Sequence, residues 1–353
     1  MTVRFAVLGC GVIGKHHAAV IDGLTGAELA AVIDIDPEAA QALADKYGVP
    51  AYGKLDDVLA LDDIDAVAVC TPSGDHAGQA VAVLRADKHV VVEKPIDITA
   101  EAAAELAAAE RTSKGRATVI SQHRFDAASQ VVRSAISDGK LGDLTSAVVS
   151  IAWWRSQEYY DSGAWRGTKE IDGGGALMNQ GIHTIDLLVW MMGQPVEVTA
   201  YAGRLAHDRI NVEDTAVAIV RFAGGALATI HGTTAAYPGV SARLQVHGTR
   251  GSAVIDDDKL AYFHAADGAK EAGSYGGGDT NQAAQVLAAD APAQTAGADP
   301  SALSNAHSTQ YADFLEAIAT GREPLVTVAE GSRTLDLVLA IYESAETGKP
   351  VSL

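Results

Sequence analysis

Cysteine is almost missing from this chain: Cys10 and Cys70 are the only two in 353 residues. Both sit in apolar runs, in no CxxC and in no metal-ligand spacing, which excludes a disulfide scaffold and leaves two buried, reduced thiols as the expectation. Basic charge is scarce as well, with 26 Lys and Arg against 45 Asp and Glu and a formal net charge of −19. Such a surface repels phosphate backbones and anionic lipid headgroups, so neither nucleic acid nor a membrane is an expected partner. No apolar stretch reaches the roughly 20 residues that a bilayer crossing requires. MTVRFAVLGCG enters a strand almost at once and leaves no room for a secretory leader, so a cytoplasmic protein is expected. Aromatic residues are only 5% of the chain, yet three of the four tryptophans, Trp153, Trp154 and Trp165, crowd into one short stretch.

What is present is a globular composition, 48% hydrophobic and 20% charged, over a length that suits two cores. Apolar runs at 3–8, 28–34, 65–70, 88–92 and 116–121 alternate with helical patterns at 12–22, 37–47, 75–86 and 99–113. Strands spaced by helices predict a parallel, doubly wound sheet of the Rossmann kind. After about residue 143 the runs follow one another without helices, at 145–155, 196–205, 212–223, 225–235, 241–249 and 252–256. These predict an open, mainly antiparallel sheet. The expected domains are 1–122, a dinucleotide-binding domain, and 123–353, an α+β domain for substrate binding and oligomerisation. One long amphipathic helix is predicted over 173–192, and helices at 305–320 and 329–346 that could return to brace the first domain. The stretch 266–300 lacks periodicity and is of a length used for lids, assembly arms or poorly ordered segments.

Gly9-Cys10-Gly11-Val12-Ile13-Gly14 is G-x-G-x-x-G placed after a predicted strand and at the start of a predicted helix, the context in which the motif cradles a pyrophosphate. Asp34 closes the second strand about 20 residues on, where a carboxylate accepts from ribose hydroxyls and repels a 2′-phosphate, so NAD is expected rather than NADP. Asp36, before Pro37, reads as a helix cap. Cys70-Thr71-Pro72-Ser73 and Val90-Val91-Val92-Glu93-Lys94-Pro95 each follow a strand and so lie where such sheets bind ligands. Lys94 there could steady alkoxide character on a reacting hydroxyl; spacing alone equally allows a surface lysine paired with Glu93.

GCGVIGKHH, CTPSGDHAGQA, HVVVEKPI, HRFD at 123–126 and DGGGALMNQGIHTIDLLVWMMG at 172–193, in this order, resemble the oxidoreductases named for glucose-fructose oxidoreductase, inositol dehydrogenase and MocA. The resemblance spans nearly the whole chain. It implies that Lys94 is the catalytic lysine, that Glu93 and Pro95 shape its turn, and that His183 is the general acid or base, a role suited to histidine near neutral pH. Inositol dehydrogenases of the family typically carry a carboxylate four residues before that histidine; Asn179 stands here, which points away from simple inositol chemistry. On a helix Asn179 and His183 are i,i+4, with Asp186 three residues on, so one face can present all three.

Expected cofactor contacts are Gly9, Gly11, Val12, Ile13, Gly14, Asp34, Ile35, Thr71, Pro72, Ser73, His76, Glu93, Lys94 and Gln122. For His17 and His76, packing or capping explains the residue equally well. Gly173-Gly174-Gly175 should let backbone approach substrate or nicotinamide, with Asp172 capping the helix that follows. Expected substrate contacts are Lys94, Arg124, Trp153, Arg155, Tyr159, Trp165, Asn179 and His183, because aromatic rings stack on sugars while polar groups bind their oxygens. Arg124 could equally fix a junction by bonding helix-end carbonyls. No ligand spacing suggests a metal.

The function these readings imply is reversible, NAD-dependent oxidation of a ring secondary hydroxyl, C3 by family analogy, on a sugar such as an anhydrohexose or hexose. Inositol or a nucleotide-linked hexuronate are the alternative substrates. A non-catalytic NAD-binding sensor, or an enzyme that oxidises and re-reduces one substrate, are alternatives of other classes. A homo-oligomer, dimer or tetramer, through the second sheet is expected.

Overall fold

The computed structural model describes residues 2–266, 281–290 and 304–353. In the first part β1 (Val3–Leu8), α1 (Val12–Asp22), β2 (Ala27–Ile33), α2 (Pro37–Tyr47), β3 (Ala51–Tyr52), α3 (Leu55–Leu59), β4 (Ala66–Val69), α4 (His76–Arg85), β5 (His89–Val92), α5 (Ala100–Thr112) and β6 (Ala117–Val119) follow in turn. The six strands are parallel in the order β3-β2-β1-β4-β5-β6. All four residues of β4 are buried, as covering helices on both faces require, and this is why such strands read as unbroken apolar runs. Strand order reverses between β1 and β4, so the loops after these strands, 9–11 and 70–75, flank the crevice where this topology binds ligands.

The chain continues through α6 (Ala127–Ser137), β7 (Leu144–Ala152), α7 (Gln157–Asp161), α8 (Ile182–Met192), β8 (Pro195–Gly203), β9 (Thr215–Phe222), β10 (Leu227–Thr233), β11 (Ala242–Gly248), β12 (Gly251–Asp256), β13 (Lys259–Ala265) and α9 (Ala283–Asp290). It closes with α10 (Ser304–Thr320), α11 (Val328–Thr347) and β14 (Val351–Ser352). The second sheet has eight strands in the order β13-β12-β11-β7-β10-β9-β8-β14, antiparallel except for the β7–β10 pair. Along β9 exposed and buried residues alternate, so one face is covered and the other open.

Two compact units result. One holds residues up to Gln122, Thr168–Gly173 and the chain as far as Leu335; the other holds His123–Gly167, the chain from Gly174 through α9, and Asp336–Leu353. In the first, α10 packs on α1 and adds Tyr311 and Phe314 to a core with Phe5, Val7, Ile21 and Leu43. Cys10 and Cys70 belong to that core, and burial pushes both thiols up, Cys10 to about 11. Of the aperiodic stretch 266–300, residues 281–290 carry α9, which packs on α6 and β13; 267–280 and 291–300 lie outside the described residues. No helix among the described residues is long and apolar enough to cross a membrane.

Candidate active site

The chain leaves β1 at Leu8 and enters α1 at Val12, so residues 9–11 must turn it tightly. Gly9 has φ +95°, and a Cβ there would lie 2.6 Å from Cys70 O; at Gly14 a Cβ would lie 1.7 Å from Gly9 O. Packing alone demands both glycines. Gly11 differs, because nothing lies within 4 Å of an added Cβ. Open space therefore fronts the α1 N-terminus, whose free amides and dipole favour an anion. Val12 and Ile35 are 73% and 95% exposed, an apolar pair flanking this loop, whereas the Ile13 side chain packs into the core.

Asp34 is held at the end of β2: Oδ2 accepts from Cys10 N at 2.6 Å and Oδ1 from Asp36 N at 2.9 Å. Asp36 caps α2, accepting from Glu38 N at 3.0 Å. Gln122 is buried, and its Oε1 has no hydrogen-bond partner among the described residues. An orphaned buried acceptor calls for a donor, such as a carboxamide. The open space at Gly11, the fixed Asp34 carboxylate, the exposed apolar pair and the Gln122 oxygen together fit a dinucleotide.

The loops after β4 and β5 are braced from within. Thr71 Oγ1 donates to Gln79 Oε1 at 2.6 Å, and Ser73 is buried after Pro72. His76, expected to touch the cofactor, is 2% exposed with Nδ1 2.7 Å from Pro95 O and Nε2 2.8 Å from Thr71 O. Both ring nitrogens are spent on main-chain carbonyls, so His76 ties the two loops together.

Glu93 is also corrected. It is 4% exposed; Oε1 accepts from His17 Nε2 at 2.8 Å and Oε2 from the Lys94 amide at 2.9 Å. Its side chain is therefore no surface ion pair; both oxygens are spent on holding the turn that carries the half-buried Lys94. Burial would raise its carboxyl, but hydrogen bonds from His17 and His307 and the charge nearby hold it well below the usual range. Burial keeps His17 lowered and therefore neutral at neutral pH, so its Nε2–H donates to Glu93 while Nδ1 accepts from Tyr311 Oη at 2.6 Å.

In the second unit the helix predicted from 173 begins later. A π-helix, Ala176–Gly181, precedes α8, so the i,i+4 spacing of Asn179 and His183 spans a change of helical pitch. Asp172 is not the cap. Gly175 is the N-cap, and Glu213 takes the free amides, Gly175 N at 2.9 Å and Leu177 N at 2.8 Å, with Tyr342 Oη donating to it at 2.9 Å. Packing alone requires all three glycines: an added Cβ would meet Ile98 at Gly173, Tyr342 Oη at Gly174 and Glu213 O at Gly175. Asn179 and His183 are half-buried while Leu177, Met178 and Ile182 around them are buried.

Arg124 is 0% exposed and pairs with Asp186 twice, Nε to Oδ2 and Nη2 to Oδ1, both at 2.7 Å. A guanidinium so enclosed cannot line a substrate pocket as expected; its work is structural. The His123 ring stands edge-on to His183, 5.1 Å between centroids. Its Nδ1 lies 2.8 Å from Asp126 Oδ2 and 3.0 Å from Asp258 Oδ1. Burial would lower His123, but hydrogen bonds to both carboxylates and their charge outweigh it and push it up to about 10. His123 is therefore a cation at neutral pH.

Trp153, Arg155, Tyr159 and Trp165 come together. Arg155 lies 5.4 Å from the Trp153 and Tyr159 rings, and Arg166 4.5 Å from those of Tyr159 and Trp165. Gln180 joins them, accepting from Arg155 Nη2 at 2.7 Å and donating to Tyr159 Oη at 2.8 Å. Arg166, Gln180, His123, His307 and Tyr311 were not singled out from sequence. His307 and Tyr311 carry one usable signal, an i,i+4 polar pair on the face of α10 that also carries Phe314.

Residues 3–121 match the family described as oxidoreductase family, NAD-binding Rossmann fold, and residues 129–254 match the GFO/IDH/MocA C-terminal domain. Inositol 2-dehydrogenase of Rhizobium meliloti is 34% identical over 272 residues, 76% of this chain and 80% of that protein. The 1,5-anhydro-D-fructose reductase of Ensifer adhaerens is 27% identical across 99% of this chain and 98% of its own length. The WlbA dehydrogenase of Bordetella pertussis, solved with NADH and UDP-GlcNAcA, superposes with a TM-score of 0.87 at 32% identity, covering 100% of this chain and 98% of that one.

Proposed function

This chain belongs to the GFO/IDH/MocA family of NAD-binding oxidoreductases, and from that premise we propose that it oxidises, reversibly, a ring secondary hydroxyl of a sugar or sugar-like polyol, at C3. The observation that carries the reading is the nucleotide cradle of the first unit, open at Gly11 and closed by the fixed Asp34 carboxylate. NAD, when bound, accepts the hydride that the carbon loses. Gly9, Gly11 and Gly14 shape the loop that holds it, and Asp34 disfavours a 2′-phosphate. Gln122 Oε1, buried without a partner among the described residues, would accept a hydrogen bond from NAD.

The remaining work falls to side chains of this protein. Lys94 donates to the hydroxyl oxygen and steadies it as alkoxide character develops. His183 takes the hydroxyl proton and, in the reverse direction, returns it. Asn179 orients that hydroxyl by hydrogen bonding, without taking a proton. The His123 ring, held by Asp126 and Asp258, stands edge-on to His183 and helps fix the orientation of its imidazole.

The open face of the second sheet exposes Tyr201 (75%), Ile219 (61%), Leu227 (52%) and Val217 (45%), and a second copy of the chain covers it in this reading. A monomer by light scattering would refute that part alone. Catalysis is tested by NADH formation with inositols, hexoses, anhydrohexoses and UDP-sugars, comparing the native protein with Lys94→Ala and His183→Ala. General acid–base and electrostatic contributions of this kind predict losses of about 10²–10⁴ in kcat for each variant. Activity retained within a few-fold in either one removes that residue from the chemistry.

A further inference from the structure

We infer that Arg155, Tyr159, Arg166 and Gln180 form a recognition site for an oxyanion, a carboxylate or phosphate carried by the substrate sugar. The inference rests on the dehydrogenase reading above and narrows it from polyols in general to sugar acids or sugar phosphates. It displaces the neutral anhydrohexose favoured by sequence alone.

The hydrogen bonds of the cluster run in one direction. Arg155 Nη2 donates to Gln180 Oε1 at 2.7 Å, which fixes the Gln180 amide so that Nε2 faces Tyr159 Oη at 2.8 Å. Arg166 Nη1 donates to the same phenol oxygen at 2.8 Å. Two donors occupy both lone pairs of Tyr159 Oη, so its own O–H is left to donate outward. The site therefore offers N–H and O–H donors to an incoming group and few acceptors.

Charge points the same way. Neither Arg155 nor Arg166 pairs with a carboxylate among the described residues; Arg116 and Arg204 do not either, but each of those donates to a backbone carbonyl and stands apart from the other. In a chain with 45 acidic residues, two arginines placed together without an acidic partner form a local exception to the overall charge. The rings of Trp153, Tyr159 and Trp165 lie against the guanidinium groups; Arg155 also donates from Nη1 to Trp154 O at 3.0 Å, so the donors offered to an oxyanion are those of Arg166 away from Nη1, Arg155 Nε and the Tyr159 hydroxyl. A neutral sugar hydroxyl could accept one bond from the two half-buried cations, whereas an oxyanion also meets their charge.

The cluster is also fixed in place. Arg155 N donates to Thr234 O at 2.8 Å, and Arg155 O accepts from His207 Nε2 at 2.8 Å. His207 is held in turn by Asp214, 3.1 Å from Nδ1, whose carboxylate is wholly buried and accepts three backbone amides, of Leu205, Ala206 and His207. Gln180 lies on the π-helix beside Asn179, so the cluster is bonded to the segment that carries the proposed substrate-orienting residue. Such preorganisation is what recognition of one substrate group requires.

The test uses the NAD-loaded protein and matched ligands: glucose as the neutral member, with glucuronate and glucose 6-phosphate as its anionic partners. Binding is read by calorimetry and turnover by NADH absorbance, for the native protein and for Arg155→Ala, Arg166→Ala and Tyr159→Phe. An unfolding midpoint close to native shows that each variant folds; Arg155→Lys, which keeps the charge without the fork, replaces any that does not. We expect the anionic member of a pair to bind at least about tenfold better than its neutral partner. Each arginine variant should lose about ten- to hundredfold of affinity for that member only, since one charge-assisted hydrogen bond is removed. Response to the uronate or to the phosphate tells which oxyanion is read. Equal binding of neutral and anionic partners, or variants that weaken both alike, overturns the proposal. NADH formed from neutral sugars alone sinks the oxyanion site and keeps the dehydrogenase; selective binding of the acids without NADH formation does the reverse.

Discussion

Replacing His123 by Asn should destabilise the protein at neutral pH and cease to matter in strong alkali. His123 donates from Nδ1 to Asp126 and Asp258 at 2.8 and 3.0 Å, with its side chain 18% exposed. Its folded value, about 10, stands above the ordinary 6.5. The imidazolium is therefore favoured by the fold, and its stabilisation is fully present below about pH 6.5 and lost as pH rises through about 10. At about 1.36 kcal/mol per pKa unit this difference sets a ceiling of roughly 5 kcal/mol. Asp258 is 33% exposed, so water screens that half of the arrangement. About 2–4 kcal/mol is the expected contribution. Urea unfolding followed by tryptophan fluorescence, at several pH values from about 6 to about 10.5, gives the native-minus-variant difference and cancels general alkaline weakening. The difference should shrink toward zero across that range. A difference that is constant with pH, or that grows with it, would refute the reasoning.

Other outcomes follow from the same geometry. Gly11→Ala places a methyl group in open space, at φ −70°, so stability should stay within about 0.5 kcal/mol while NAD affinity falls more than tenfold. Gly14→Ala drives a methyl group into Gly9 O and should lose both; equilibrium binding beside thermal unfolding separates the two cases. Glu93→Ala leaves the Lys94 amide and His17 unsatisfied in the interior and should cost about 3–5 kcal/mol. Glu93→Gln keeps one acceptor and turns the other toward its donor as an NH2, so it should recover only part of that stability and still lower kcat, because the charge below Lys94 is gone; full kcat in Glu93→Gln removes that charge from the chemistry.

The first sheet was legible because its strands are buried on both faces and its helices are punctuated by strong signals: Asp36-Pro37 starts α2 and Gly48 in the left-handed region ends it. The glycine loop was legible for the same reason, since turn, cradle and close packing each demand a glycine at a set position. Short elements were missed. β3 and α3 span two and five residues, too few to establish a period. The helix start at 173 was misplaced because its cap comes from Glu213, distant in sequence, and not from the neighbouring Asp172. Glu93, His76 and Arg124 were misread for a shared reason. A polar residue beside a functional motif looks alike in sequence whether it faces a ligand or supports the motif from beneath, and only burial separates the two. Asp258 joins His123 through the β12–β13 turn, a pairing with no local signature at all.

The central claim is that a ring carbon gives its hydride to NAD and the product is released oxidised. The most direct measurement supplies a substrate of the reactive panel deuterated at the ring carbon and follows both NADH formation and its deuterium content by mass spectrometry. One deuterium should appear in NADH for each sugar oxidised. Consumption of substrate with no net NADH, as transient oxidation and re-reduction would give, or NADH formed without deuterium, would contradict it.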